Sequence, residues 1–296
     1  MEIASKKVSV ILPIYNVADY LDKSLNSVAT QSHRNLQIIC VVDGATDNSA
    51  EICKNFEKND SRFKVVIQEN LGCPAARNNG MKLVEGDYIC FVDPDDYIDR
   101  DYIKNLLEAA EKYNADIVCA TLIRIKNGKK KFRTNFTGTH IYEDKSEIFA
   151  AANCPPEYGV INKMYKTSLI KGYNIVFERV SWCDDVRFCT ETLWRAARIA
   201  TVEGAKYYYV KRKGSIVSSQ PSAIKQQERY AVRSAAVKFL LDRGVKIPKD
   251  EAFVTKRLFE LAGIPLARIR VDVARLREMY LLFGIILVYE KRINCL

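Results

Sequence analysis

The first hundred residues of the sequence repeat one pattern, in which a short apolar run rich in β-branched residues ends at a group of polar residues. The runs are Val8–Leu12, Leu36–Val42, Lys64–Gln68 and Tyr88–Val92. Continuous apolar runs of this length are typical of strands buried on both faces of a parallel sheet. This repetition constrains the fold most, because such a sheet needs helices to cover both of its faces.

Segments with helical spacing of apolar residues separate these strands. They are Val17–Thr30, Ser49–Phe56 and Ala75–Val84, and a helix near Asp101–Tyr113 precedes another strand at Asp116–Ile123. Alternation of strands and helices at this spacing predicts an α/β fold built from right-handed crossover units.

The composition excludes several classes of protein. The chain has 296 residues, 48% of them hydrophobic, with 16 tyrosines and 12 phenylalanines, which is too apolar and aromatic for a disordered chain. Nine cysteines are spread over the chain without a C-x2-C pair, and only two histidines are present. A disulfide framework and a structural zinc site are therefore not predicted. With no signal-peptide pattern at the N-terminus, we expect reduced thiols in a cytoplasmic protein.

Polar groups stand at the ends of the predicted strands. Pro13-Ile14-Tyr15-Asn16, Asp43-Gly44 and Asp93-Pro94-Asp95-Asp96 follow three of them, while Gly72 and Arg77 follow another. Ligands of open α/β sheets bind outside the carboxyl ends of the strands. Two carboxylates with one residue between them, beside an arginine, suit a divalent cation that holds a diphosphate. No P-loop or G-x-G-x-x-G pattern is present, which argues against a nucleoside triphosphatase or a dinucleotide enzyme.

Four successive motifs carry a resemblance to a known family. They are VSVILPIYN, VVDGATDNS, NLGCPAARNNG and GDYICFVDPDDY, and the sequence resembles the family 2 glycosyltransferases with the GT-A fold. The later segments VINKMYKTSLI, WCDDVRF and YYYVKRKGSI resemble the acceptor half of members that assemble bacterial lipooligosaccharide and capsule. The resemblance covers about residues 7–220. It implies a Rossmann-like mixed or parallel sheet flanked by helices, with a nucleotide-sugar-binding half at 1–100 and an acceptor half at 101–220.

The resemblance implies contacts to a nucleoside diphosphate sugar. Pro13 and Tyr15 would line the base pocket, with the Tyr15 ring against uracil, and Asn16 belongs to the same set. Asp43 would hydrogen-bond the base and Arg77 would contact phosphate. The residue before Asp43 is a valine, where the family usually has a second aspartate.

The resemblance also implies a metal site at the D-x-D pattern. Asp93 would face the ribose or the metal, and Asp95 would ligate Mg²⁺ or Mn²⁺ between the two phosphates. Pro94 occupies the variable middle position and counts among the nucleotide-sugar contacts.

The pair Asp184-Asp185 stands where the family usually has Glu-Asp. Asp185 is the expected general base and Asp184 is the second candidate. The base would take a proton from the acceptor hydroxyl as that oxygen attacks the anomeric carbon. Trp182 and Lys163 are weaker candidates for contact with the acceptor.

Most of these residues also have a structural explanation that the sequence leaves open. The alternatives are a helix cap for Asp95 and Asp96, a turn before Gly44 for Asp43, a surface ion pair with Glu85 or Asp87 for Arg77, a first-turn position in a helix for Asp185, and core packing for Trp182. The segment Tyr207–Tyr209 favours a strand over a sugar-stacking platform.

Two segments are strongly basic. Arg124–Arg133 holds six basic residues and no acidic one, which is typical of a solvated hairpin or loop. Residues 225–296 hold 15 basic and 8 acidic residues, a net +7 out of +10 for the chain. We predict a boundary near 220 and a basic helical region at 221–296.

Within that region, the apolar stretch Met279–Tyr289 is too short to span a bilayer. With basic residues on both sides, it is predicted to be an interfacial helix on an anionic membrane surface, at the inner face of the cytoplasmic membrane. A helix that closes over the catalytic domain or forms a homodimer contact is the alternative. No pattern for nucleic-acid binding is present.

The sequence therefore predicts an inverting, metal-dependent glycosyltransferase. It would move a galactose, glucose or N-acetylhexosamine from a UDP-sugar or related donor to a hydroxyl of a bacterial surface glycan, free or lipid-linked. The alternatives are transfer to a polyprenyl phosphate, a sugar nucleotidyltransferase, and a non-enzymatic binding module.

Overall fold

The structure is a computed structural model that describes residues 5–154, 159–178, 184–212, 223–246, 253–261, 264–272, 277–282 and 285–292. Trp182, a predicted acceptor contact, lies outside these residues. The strands and helices predicted for the first hundred residues are all present. In chain order the elements up to residue 210 are β1 (Val8–Ile14), α1 (Ala18–Ala29), β2 (Leu36–Asp43), α2 (Ser49–Asn59), β3 (Phe63–Gln68), α3 (Cys73–Lys82), β4 (Tyr88–Phe91), β5 (Tyr97–Ile98), α4 (Tyr102–Tyr113), β6 (Ile117–Lys126), β7 (Lys129–Thr134), β8 (His140–Tyr142), α5 (Lys145–Ala151), β9 (Lys163–Lys166), α6 (Thr167–Gly172), α7 (Asp184–Arg195) and β10 (Ile199–Val210).

These strands form one mixed sheet in the order β3-β2-β1-β4-β9-β6-β10-β5, with β7 added to β6 and β8 to β10. Strands β1 to β4 are parallel. Strand β9 runs antiparallel to both of its neighbours, and β10 is parallel to β6. The α/β fold with a mixed sheet flanked by helices is therefore confirmed.

The strand order explains how distant polar groups meet. Every residue of β1 and β2 is buried, so both faces of the sheet are covered there. Because β1 lies between β2 and β4, the carboxyl ends of all three strands reach the same edge of the sheet. That edge carries Tyr15 and Asn16 after β1, Asp43 at the end of β2, and Asp93 after β4.

The tail differs from the predicted run of helices. Helix α8 (Ala223–Leu241) is followed by β11 (Phe253–Leu261), β12 (Ile264–Asp272), β13 (Arg277–Leu282) and β14 (Ile285–Arg292), which form an antiparallel sheet in that order. The interfacial helix predicted at Met279–Tyr289 is wrong, because Leu282 pairs with Ile285 across a hairpin. These segments contain several Val, Ile, Phe and Tyr residues, whose branched or aromatic side chains favour strands.

The second half of α8 packs against the preceding domain. Leu240 is fully buried, and Phe239 makes an edge-to-face contact with Trp194 of α7 at 5.8 Å between ring centres. Beyond the helix, the backbone N–H of Lys246 donates to the Ser146 hydroxyl at 3.0 Å. Across the described ranges, no helix has both the length and the apolar character of a membrane span.

Close packing of α3 on the sheet depends on a glycine. A Cβ at Gly80 would lie 2.6 Å from Cγ2 of Ile11 in β1 and 3.4 Å from Cγ2 of Val41 in β2. Strand carbons buried in the core have little room to move, so an added methyl group overpacks this contact.

Gly80→Ala is therefore expected to lower the free energy of unfolding by about 1–3 kcal/mol, measured by urea denaturation. Gly172→Ala is the matched control, since no atom lies within 4 Å of the added methyl group. The control should be neutral or stabilising by up to about 1 kcal/mol, because alanine favours helix. Equal stabilities for the two variants would contradict the packing argument.

Candidate active site

Asp43 ends β2 and holds the loop that follows β3. Its carboxylate is buried and accepts hydrogen bonds from the Gln68 side chain at 2.7 Å and from the backbone N–H groups of Leu71 at 2.8 Å and Gly72 at 2.9 Å. An ionised carboxylate offers about four acceptor positions, so Asp43 can still accept a hydrogen bond from a nucleotide base in addition to these three. Asp43 thus anchors the loop, and its contact with a base stays a prediction.

The residues after β1 frame the neighbouring part of the edge. Pro13 is buried beside Val41 in the parallel ladder, whereas 46% of Tyr15 is exposed and its ring is free to stack. Asn16 has a positive φ of 47°, and its Oδ1 accepts from the backbone N–H of Thr46 at 2.8 Å. This bond fixes the turn after β1 against the turn after β2.

Arg77 and Asp93 form an ion pair. Nη2 of Arg77 lies 2.9 Å from Oδ1 of Asp93, and the Arg77 guanidinium lies 5.2 Å from the centre of the Phe177 ring. Arg77 is only 6% exposed, so the alternative of a surface pair with Glu85 or Asp87 is not what the structure has. Helix α3 instead places a buried cation beside the first carboxylate of the D-x-D pattern.

Asp95 is paired with an arginine that lies two residues beyond the end of β10. Nε of Arg212 donates to Oδ2 of Asp95 at 2.6 Å, and the guanidinium lies 5.3 Å from the ring centre of Tyr20. Burial and the charge of Asp93 raise the pKa of Asp95, while Arg212 acts in the opposite direction. Asp93 and Asp95 therefore lie close enough to repel each other, and each is paired with an arginine. Pro94 is buried between them.

Asp96 has a role that the sequence did not reveal. It is 1% exposed; its Oδ1 accepts from the backbone N–H of Val210 at 2.7 Å, and its Oδ2 accepts from the Tyr207 hydroxyl at 2.9 Å. The same hydroxyl accepts from the backbone N–H of Asp93 at 3.0 Å. The helix-cap alternative is wrong for Asp95 and Asp96, since α4 begins at Tyr102 with Asp101 before it.

Burial and the charges of Asp93 and Asp95 raise the pKa of Asp96 well above its ordinary value. Tyr207 is fully buried in β10, which confirms that Tyr207–Tyr209 is a strand. Asp96 and Tyr207 are 111 positions apart, and no local spacing signals a pair at that separation.

Asp184 and Asp185 lie at the start of α7, in its first turn. Asp185 is partly exposed. A carboxylate in a first turn is stabilised by the helix dipole, which favours the ionised form that a general base requires. The structural position and the proposed catalytic role of Asp185 are thus compatible.

Lys163 is buried in β9 and is only 1% exposed. Its ammonium group donates to the carbonyl of Gly159 at 2.7 Å and to Oδ1 of Asn162 at 3.2 Å. These contacts satisfy the buried charge within the protein, which favours a structural role over the predicted acceptor contact.

The donor set at this edge fits a divalent ion that is also bound by a ligand. Carboxylate oxygens are the ligands that Mg²⁺ prefers, and the crowded charge of Asp93 and Asp95 is relieved by a cation. Within the ranges that the structure describes, no three His, Cys, Asp or Glu side chains are grouped to hold a metal. An ion held by Asp95 and Asp93 would therefore need oxygens from a diphosphate or water.

Comparison with known families gives a match over residues 9–171 to the model described as glycosyl transferase family 2. The chain belongs to this family. The recognised resemblance is confirmed, and with it the assignment as a transferase.

Several bacterial glycosyltransferases are similar to this family 2 chain. Glycosyltransferase GlyA of Streptococcus pneumoniae is 35% identical over 170 residues, 57% of this chain but 23% of its own length. Glycosyltransferase GlyG of the same organism is 30% identical over 226 residues, 73% of this chain and 74% of its own. The chain spans only 62% of the putative glycosyltransferase EpsH of Bacillus subtilis.

The poly(ribitol-phosphate) beta-N-acetylglucosaminyltransferase TarS of Staphylococcus aureus is 30% identical over 253 residues, 79% of this chain and 40% of its own. The crystal structure of TarS 1–349 in complex with UDP-GlcNAc aligns with a TM-score of 0.67 at 26% identity, covering 82% of this chain and 68% of that one. TarS is thus named for transfer to poly(ribitol phosphate), and its structure was solved with UDP-GlcNAc.

Tyr207→Phe removes the hydroxyl that joins Asp93 to Asp96. It leaves two buried polar groups without this partner, so the free energy of unfolding should fall by about 1–3 kcal/mol. The D-x-D loop should also lose its position, lowering sugar-nucleotide turnover by about tenfold or more.

Tyr102→Phe is the matched control, because its buried hydroxyl donates to the Ile161 carbonyl at 3.1 Å and has no hydrogen bond to a carboxylate of the described residues. It should lose comparable stability but keep its turnover. Stability is measured by urea denaturation and turnover by nucleotide release. Equal loss of turnover in both variants would show that Tyr207 acts on stability alone.

Proposed function

We propose that the protein is a metal-dependent, inverting hexosyltransferase that moves a sugar from a UDP-sugar to a hydroxyl of a bacterial surface glycan. The observation that carries this proposal is the edge formed after β1, β2 and β4. There Tyr15 is open for stacking, and two charge-crowded carboxylates, Asp93 and Asp95, lie beside buried Arg77 and half-buried Arg212.

The similarity to TarS bound to UDP-GlcNAc supports a uridine nucleotide as the donor. The base would stack on Tyr15 and hydrogen-bond Asp43, with Asn16 and Pro13 shaping the pocket. Arg77 would balance the charge of the phosphates when the donor binds. The sugar would be glucose, galactose or an N-acetylhexosamine.

Enzymes of this family commonly depend on a divalent metal ion. Asp95, with Asp93, would hold Mg²⁺ or Mn²⁺ here. When bound, the ion neutralises charge that builds up on the leaving diphosphate, a contribution of several kcal/mol.

Asp185 would be the general base, with Asp184 as its neighbour in the helix. The acceptor oxygen forms a bond to the anomeric carbon on the face opposite the diphosphate, and its proton passes to the Asp185 carboxylate. The bond from the anomeric carbon to the diphosphate breaks, and its electron pair leaves with the phosphate oxygen. This single displacement inverts the configuration and needs no covalent enzyme intermediate.

The names of relatives support a cell-surface polymer as the acceptor class. TarS and a Bacillus spizizenii homologue, 30% identical over 218 residues, are named as poly(ribitol-phosphate) beta-glycosyltransferases. Both names specify a polymer that carries free hydroxyl groups, consistent with attack by a hydroxyl oxygen.

Removal of divalent ions by a chelator tests whether the activity depends on a metal ion. EDTA should abolish hydrolysis and transfer of UDP-sugars, and excess Mn²⁺ should restore both. Asp95→Asn should lower turnover by at least about 100-fold, because several kcal/mol of charge stabilisation is lost. Asp101→Asn is the matched control, because Asp101 is exposed and lies six positions after Asp95 in the sequence. Its turnover should equal that of the wild type. Full activity in EDTA, or in Asp95→Asn, would refute the metal site.

Substitution of Asp185, the proposed general base, distinguishes transfer to a hydroxyl from transfer to a polyprenyl phosphate. Asp185→Asn should lower transfer to a hydroxyl by about 10²–10⁴-fold, the usual contribution of a general base. Transfer to a polyprenyl phosphate needs no base, because the attacking oxygen is already ionised. Product formation with each acceptor is measured for wild type and variant. Unchanged transfer to a hydroxyl would remove Asp185 from the mechanism.

A further inference from the structure

The basic segment recognised in the sequence forms a hairpin at the edge of the sheet. Strands β6 and β7 are joined by Asn127 and Gly128, whose φ angles of 50° and 74° are those of a tight hairpin turn. All residues from 126 to 133 are exposed. No acidic residue occurs between Asp116 and Glu143.

The register of this hairpin places like charges opposite each other. Arg124 pairs with Lys131, and Lys126 pairs with Lys129. Residues directly opposite in an antiparallel pair lie on the same face of the sheet, so these four form one surface, here called the basic face. Like charges opposite each other are destabilising, and folding alone gains nothing from them.

Within the described ranges, none of the four residues of the basic face forms an ion pair with a carboxylate. Nε of Arg124 is shielded from solvent and has no hydrogen-bond partner in the described structure. A shielded guanidinium nitrogen without a partner is costly. Within the described ranges, the basic face therefore has charge that no carboxylate compensates.

The basic face leads to the candidate active site. In the parallel ladder of β6 and β10, Arg124 lies beside Tyr209, and the next residue, Val210, donates its N–H to Asp96. Burial and the charges of Asp96, Asp95 and Asp93 raise the pKa of Tyr209, while Arg124 lowers it. Tyr209 is thus within the field of both the acidic edge and the basic face.

The opposite face of the same hairpin is different. Lys130, one position away from Lys129 and Lys131, lies over the Tyr208 ring at 5.3 Å, and Tyr208 stacks on Tyr97 at 4.7 Å. This lysine has an aromatic partner within the protein. It carries the same charge on the same hairpin and serves as a control.

We propose that the basic face binds the acceptor as a polyanion, a glycan chain linked by phosphodiesters whose reactive end passes Tyr209. Cations two positions apart on a strand are about 7 Å apart, so the face presents rows of positive charge to a chain of regularly spaced anions. A flat membrane surface fits less well, because Arg124, at the inner end of the row, is partly buried. This inference rests on the proposed function and specifies its acceptor.

The test is the double variant Lys129→Ala/Lys131→Ala, which removes one partner from each like-charge pair. Its affinity for a fluorescent, phosphodiester-linked polyol oligomer should fall by roughly tenfold. The dependence of affinity on salt concentration should become less steep, because two cations no longer contact the anionic chain. The melting temperature should stay the same or rise, because repulsion is relieved.

Lys130→Ala should leave oligomer affinity and its salt slope unchanged. An uncharged glycan of equal length should bind weakly and equally to all three proteins. Equal losses in Lys130→Ala would reduce the effect to net charge and overturn the proposal. Unchanged oligomer affinity in the double variant would also overturn the proposal. So would a double variant that loses more affinity for a polyuronate, a glycan charged by carboxylates, than for the phosphodiester-linked oligomer.

Binding to vesicles of phosphatidylcholine and phosphatidylglycerol tests whether the basic face binds an anionic membrane surface instead. Loss of vesicle binding in the double variant, with oligomer binding unchanged, would assign the face to lipid and overturn the proposal. Hydrolysis of UDP-GlcNAc in the absence of acceptor should be the same in wild type and double variant. A wild type that hydrolyses no UDP-sugar but binds the oligomer through these lysines would refute the proposed function and leave the basic face as an anion site.

Discussion

The compensation of buried negative charge after β4 organises this molecule. Asp93, Asp95 and Asp96 follow one another within four positions, and each is stabilised by a different element: Arg77 of α3, Arg212 beyond β10, and Tyr207 with Val210 in β10. A buried carboxylate without such partners would be expensive, so these contacts must form together with the fold. Because α3 lies in the N-terminal half and β10 in the C-terminal half, the acidic loop joins both halves of the domain.

This arrangement would couple the ion pairs of the edge to the binding of a nucleotide-sugar donor. The cations on Asp93 and Asp95 are arginines, which are always charged and can also pair with phosphate in bidentate geometry. If a diphosphate bound with a divalent ion, the arginines could pair with the phosphates while the ion took their place on Asp93 and Asp95. Neither carboxylate would then be left without a partner. Asp96 takes no part in such an exchange, since both of its oxygens bind groups of β10 and fix the position of the loop.

The sequence was sufficient where structure follows from local pattern. Apolar runs predicted β1 to β4, polar strand ends predicted the edge, and the resemblance predicted the family. Tyr207 and Arg212 could not be found in this way, because their partners Asp96 and Asp95 are more than a hundred positions distant. The tail was predicted wrongly for a different reason: Met279–Tyr289 is uniformly apolar, and periodicity alone cannot distinguish a buried helix from two strands in such a run.

Two kinds of charge can be separated by whether the fold compensates them. The carboxylates of the edge each have a partner within the chain, which stabilises the unliganded protein. Among the residues that the structure describes, the basic face has no such partner, and its cross-strand pairs oppose folding. Net charge conceals this difference, because +7 of the total +10 lies in residues 225–296 and leaves only +3 for the rest of the chain. The hairpin contributes six cations to that remainder, so its positive field is local. It lies beside the acidic edge, where an anionic acceptor would need a counter-charge to approach the carboxylates.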